Sequence, residues 1–149
     1  MKPVRSEQEF QNLVRRLELA LDASLIGVWE HDVSEDALIW DEQMFRLYGR
    51  DDPGGPVEAS LWSNAIHPDD LAGARADFAG AVAAKGDYSS QYRVLLPNGA
   101  IRHLRSRAHF FEENGHGIFI GAEWDVTADV LLNRELATQK QIAELRAAE

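Results

Sequence analysis

Apolar residues recur at three- and four-residue intervals behind Ser6: Phe10, Leu13, Val14, Leu17 and Leu21 fall on one side of a helix. Ser6 and Glu9 have capping-box spacing, so the pattern predicts a helix from about Ser6 to Ala23. The period then shortens to two. Ile26 to Val33 reads as a strand, Ser34-Glu35-Asp36 as a turn, and Ala37 to Trp40 as a second strand, which together predict a hairpin. Asp41 is placed to cap a short helix through Tyr48, with Gly49 as its stop.

Arg50 to Pro56 is rich in Asp, Gly and Pro and predicts a loop, followed by a short helix over Val57 to Ala65 that contains Trp62. A longer helix is marked at His67-Pro68-Asp69-Asp70. Proline suits the first helical position, where its missing N–H is no loss, and two aspartates suit the positive end of the helix dipole. That helix is expected over Pro68 to Ala84, ending at Gly86. Three strands follow: Tyr88 to Leu96, Ile101 to Glu112 and Gly117 to Val126, separated by Pro97-Asn98-Gly99 and Asn114-Gly115. Asn-Gly between alternating runs is a strong hairpin signal, because a type I′ turn needs positive φ at both central residues.

The last strand passes into a polar stretch with Leu131, Leu132, Leu136, Ile142 and Leu145 at helical spacing, predicting a helix from Ala128 onward. Thr127 is placed to cap it, with Asp129 in its first turn, and Asp125 is expected to hold the junction. A strand feeding a charged helix of this kind reads as an output connection; the alternative is a frayed tail.

Composition narrows the functional classes. With 149 residues and 45% apolar content, one compact domain with extra helix is the default. The expected division is 1–24 for an amphipathic helix, 25–127 for the core and 128–149 for an outgoing helix. A net charge of -10 disfavours nucleic acid and anionic membrane. Arg102, Arg105 and Arg107 are expected on a solvated sheet face. No run approaches the roughly 18 apolar residues of a membrane span, and Met1-Lys2-Pro3 does not open a signal peptide, so a cytoplasmic location is expected. Cysteine is absent, which excludes disulfides, thiolate metal sites and cysteinyl adducts.

Five stretches, taken in order, resemble one known family. Gly27-Val28-Trp29-Glu30-His31-Asp32 resembles the first-strand pattern of the PAS domains, in particular the bacterial fold-3 subgroup. Trp40-Asp41 through Leu47-Tyr48-Gly49 resembles its second strand and first helix, and Ile66-His67-Pro68-Asp69-Asp70 its helix-initiating signature. Tyr92-Arg93-Val94 through Pro97-Asn98-Gly99 and Ile101-Arg102 resembles the central hairpin, and Asp125-Val126-Thr127 the terminal Asp-Ile-Thr. His31 and His103 depart from the pattern, standing where an aromatic residue is usual.

The resemblance implies an α+β fold: a five-stranded antiparallel sheet of order 2-1-5-4-3, short helices on one face and a central pocket. It further implies a noncatalytic sensory and dimerisation module of a longer signalling protein. Such a module relays a signal through its C-terminal helix to an effector such as a histidine kinase or a cyclic-di-nucleotide enzyme.

Candidate chemistry leaves alternatives. Trp29, Trp40, Phe45, Trp62 and Tyr92, with the small residues Ser106, Ala108 and Ala122, are candidates to line a slot for a flat ligand; alternatively, the four tryptophans fill the core and the domain works through protein contacts alone. Noncovalent flavin stays open, whereas haem is disfavoured because the long helix carries no histidine. His67 with Asp69 or Asp70 reads as a helix start, or as the acid–base pair of a small α+β enzyme. His31, His103, His109 and His116 are expected on the exposed sheet face or in a loop. Phe10, Leu13, Leu17 and Leu21 either fold back on the sheet or pair with their twins in a homodimer.

Overall fold

The computed structural model describes residues 6–148. The readings made on Met1-Lys2-Pro3 and on residue 149 lie outside the described residues. α1 (Glu7–Ser24) begins where Ser6 Oγ accepts the Glu9 N–H at 3.1 Å. β1 (Gly27–Asp32) and β2 (Ala37–Trp40) form the first hairpin, and α2 (Glu42–Tyr48) starts on Asp41, whose carboxylate accepts the Met44 N–H. β3 (Val57–Glu58), α3 (Ala59–Ala65) and α4 (Pro68–Ala84) lead to β4 (Tyr88–Leu95), β5 (Ile101–Glu113), β6 (His116–Asp125) and α5 (Thr127–Ala147). α4 closes on Lys85 in the left-handed region, one residue before the expected glycine.

One antiparallel sheet has the order β3-β2-β1-β6-β5-β4. It contains the expected five strands in their expected order, plus a sixth. The extra strand corrects the expected Val57–Ala65 helix, whose first two residues instead pair with Ala37 and Leu38 at the sheet edge. Two residues are too short to show a period, so this pairing has no sequence signal.

α2, α3 and α4 cover one face of the sheet. Alternation along the strands decides which residues meet them. Trp29 and His31 of β1, Leu38 and Trp40 of β2, Tyr88 and Tyr92 of β4, Leu104, Ser106 and Ala108 of β5, and Phe119 and Glu123 of β6 are all buried. The same parity separates the arginines: Arg102 shares the inner side, where its Nη1 donates to the Arg46 and Leu47 carbonyls at the end of α2, while Arg105 and Arg107 lie on the outer side. The core also corrects two histidine expectations. His31 is only 6% exposed, against Phe78, and His103 is 9% exposed at the start of α5.

α1 has no buried residue, and its stripe stays open, with Phe10 and Leu17 each 55% exposed. Among the described residues no helix is long and apolar enough to cross a membrane.

Candidate functional site

The inner side of β6 reads Phe119, Gly121, Glu123, and its last member is a carboxylate among aromatic rings. Gly121 is required there: a Cβ would come within 2.4 Å of the Arg107 carbonyl oxygen and 2.9 Å of the Trp29 ring. The close approach seats Trp29 across the sheet, where it faces Tyr88 edge-on.

Glu123 is 2% exposed. The Tyr48 hydroxyl of α2 donates to its Oε1 at 2.5 Å, and the Tyr92 hydroxyl of β4 donates to the same oxygen at 2.8 Å. Trp62 of α3 donates through Nε1 to the Tyr92 hydroxyl at 2.9 Å. One carboxyl oxygen therefore ties two helices to two strands. Burial pushes the carboxyl up to about 7, against the hydroxyls of Tyr48 and Tyr92, which pull it down. Burial, followed by the Glu123 charge, holds the Tyr48 and Tyr92 hydroxyls well above their ordinary range, so both keep their protons as donors.

Beside this cluster lies a cavity of about 110 Å³, bounded by Trp29, His31, Asp36, Leu38, Trp40, Ala59, Trp62, Phe78, Tyr88, Ser106 and Glu123. Asp36, with its side chain 70% exposed, marks the mouth. Among the described residues, three buried polar atoms of the lining have no hydrogen-bond partner: Trp29 Nε1, His31 Nδ1 and Ser106 Oγ. Unpaired polar atoms are costly in a dry core, so their concentration around one cavity sets it apart from the rest of the packed interior.

Of the residues singled out from sequence, Trp29, Trp40, Trp62 and Ser106 bound the cavity. Tyr92 stands behind its wall through Glu123. Phe45 and Ala108 are packed in the core, with Phe45 against Trp40. Ala122 does not line the cavity: it alternates with Gly121 and Glu123 and lies on the opposite sheet face. The fourth tryptophan, Trp124, shares that outer parity and borders a surface cleft beside Ser24 and Leu25. Sequence reasoning missed Glu123, Tyr48, His31 and Asp36. The signal for Glu123 was its parity with Phe119 and Gly121.

His67 and Asp70 build a junction instead of the cavity. His67 Nδ1 accepts the Asp69 N–H at 3.1 Å. Asp70 takes Arg93 Nε and Nη2, each at 2.9 Å, and the Arg93 backbone N–H at 2.8 Å. Its hydrogen bonds from the Arg93 side chain hold the Asp70 carboxyl down at about 2. The pair thus fixes the start of α4 to β4. Among the described residues no group of His, Cys, Asp and Glu is arranged to hold a metal ion.

At the exit of β6, Asp125 Oδ1 accepts the Thr127 N–H at 2.8 Å, and Arg102 Nε lies 3.7 Å from Asp125 Oδ2. Thr127 does not cap α5 as expected. It is the first helical residue, and its Oγ1 accepts the His103 N–H of β5 at 2.9 Å, while the Val126 N–H donates to the His103 carbonyl.

A family model described as the PAS fold matches residues 37–122. The chain is 28% identical over 139 residues to the probable diguanylate cyclase DgcE of Escherichia coli (strain K12), covering 92% of this chain and 12% of that protein's length. A sensory box histidine kinase/response regulator structure from Burkholderia thailandensis E264 superposes with a TM-score of 0.68 at 24% identity, covering 88% of this chain and 98% of that one. A Light-Oxygen-Voltage domain studied with a flavin analogue superposes with a TM-score of 0.62 at 11% identity, over 85% of this chain and 96% of that one.

Proposed function

The chain belongs to the PAS fold family, and from that premise we propose that it is a noncatalytic sensory module that binds a small ligand between its sheet and helices. The observation that carries this reading is the cavity, with three unpaired buried polar atoms on the residues around it. The ligand contacts fall to Trp29, Trp40, Trp62 and Ser106, with Phe45, Tyr92 and Ala108 supporting the walls.

The relay runs along β6. Glu123 borders the cavity, and two residues later Asp125 and Thr127 tie the strand end to α5 and β5. A ligand that shifts the Glu123 cluster acts on a strand that continues into the outgoing helix, provided it prefers one of the two arrangements. The division into 1–24, 25–127 and 128–149 follows from these roles. The effector is a histidine kinase or a cyclic-di-nucleotide enzyme in a longer, cytoplasmic protein. The exposed stripe of α1 pairs with that of a second copy.

Flavin fits this cavity poorly. Pockets for drug-sized ligands hold roughly 300–1,000 Å³, well above the 110 Å³ between these walls. The test of the relay uses Ser106→Leu, which fills the cavity from β5. Hydrogen exchange at the Val126 and Val130 amides should then change by about fivefold or more, the low end of ordinary coupling between sites. Unchanged exchange there in a folded variant overturns the relay.

A further inference from the structure

The lining residues offer more acceptors than donors. His31 Nε2 lies 2.8 Å from Asp36 Oδ1, and in the neutral tautomer that donates along this contact Nδ1 is left as an acceptor without a partner among the described residues. The Tyr48 and Tyr92 protons are both directed at Glu123 Oε1, which leaves Oε2 without a hydrogen bond among the described residues. Ser106, cross-strand neighbour of Glu123, adds a hydroxyl oxygen without a partner. On the donor side, Trp29 Nε1 is the one fully buried unpaired atom that can only donate, and the Trp40 indole also lines the cavity.

Charge and wall chemistry agree. The lining holds two carboxyl groups, Asp36 at the mouth and Glu123 inside, and no lysine or arginine. Most of the remaining wall is aromatic, from Trp29, Trp40, Trp62, Phe78 and Tyr88, with Leu38 and Ala59 between them. Ring faces attract cations and tolerate an apolar stub, while an anion would meet two carboxylates without a counter-charge. The volume sets the scale, since a dry cavity of about 150 Å³ holds a benzene ring.

Resting on the sensory reading above, we propose that the cavity binds a small aliphatic ammonium ion, its head on Glu123 and Ser106 and its carbon chain among the tryptophans. An ammonium group carries three donors and no acceptor, the complement of what the lining presents. Trp29 Nε1 is left to a co-bound water.

Such a guest makes the ionised form of Glu123 the favoured one, so binding should strengthen as pH rises through the carboxyl's value of about 7. The titratable groups around this carboxyl are Tyr48 of α2, Tyr88 and Tyr92 of β4, Asp77 of α4 by way of Ser90, and His31 and Asp36 toward the mouth. The tyrosines keep their protons over this range, because burial raises all three.

Calorimetric titration of the full chain with n-propylammonium chloride, propionamide and sodium propionate tests the assignment. Propylammonium should bind about tenfold or more tighter than propionamide, and propionate should not bind. Glu123→Gln should remove that preference while leaving propionamide binding in place. Ser106→Ala should weaken propylammonium several-fold, and it provides a second variant if Glu123→Gln does not fold. Equal or tighter binding of propionamide, or no binding of propylammonium, overturns the ammonium assignment. The relay is judged separately by the Ser106→Leu exchange measurement, so either claim can fall alone.

Discussion

A carboxyl surrounded by protein can keep its charge by collecting hydrogen bonds or lose it by taking a proton. Glu123 lies between these outcomes. Two tyrosine hydroxyls favour the charged form, burial opposes it more strongly, and the group titrates at about 7 instead of its ordinary 4.5. The sign of the consequence is set by linkage. Between the two values the folded state holds a proton that the unfolded state has released, so stability is greatest below about 4.5 and declines as pH rises through about 7. The decline should amount to on the order of 3 kcal/mol. Glu123→Gln keeps an acceptor for the tyrosines and cannot ionise. Urea denaturation across this pH range should show the slope in the native protein and lose that component in the variant, which should be the more stable of the two at pH above 7. A parallel pair of curves would mean that Glu123 does not titrate in this window.

At the scale of elements, the helix starts show how much local chemistry is legible in a sequence. Ser6, Asp41 and Pro68 mark their helices as expected because a cap acts within one turn. Thr127 did not follow, since its hydroxyl is taken by the His103 N–H across the sheet, a partner 24 residues away. Asp70 does both tasks, standing in the first turn of α4 and accepting three hydrogen bonds from Arg93 of β4. Its carboxyl is lowered from 3.8 to about 2, chiefly by the Arg93 side chain, so this stability is present above pH 3.8 and disappears as pH falls through about 2. Asp70→Asn should lower unfolding free energy by about 1.5–3 kcal/mol at neutral pH, the range for hydrogen bonds to charged groups. It should also flatten the acid limb of the stability curve. An unchanged midpoint in denaturant would remove Asp70 from the α4–β4 junction.

On the scale of the whole molecule, the apolar stripe of α1 stands out because none of its members is buried among the described residues. Phe10, Leu13 and Leu17 repeat at helical spacing and stay exposed, while Val14 and Leu21 are only half-buried. Most helical stability in proteins comes from packing an amphipathic face, so covering this stripe would stabilise the helix. If the partner is a second copy, the protein should sediment as a dimer, and Leu13→Asp combined with Leu17→Asp should give a folded monomer. A native protein that sediments as a monomer at every concentration excludes this seam.

Across these scales the sequence by itself determined most strands, helices and turns, each through a period or a cap that acts within a few residues. The order of the five expected strands came only through the motifs that resemble the family. Tertiary structure alone decided that Glu123, Tyr48 and Tyr92 meet, that His31 and His103 are buried, that Ala122 turns away from the cavity and that Val57 and Glu58 extend the sheet. Those outcomes depend on strand register and on contacts between residues as far apart as 75 positions, and a local pattern carries no record of them.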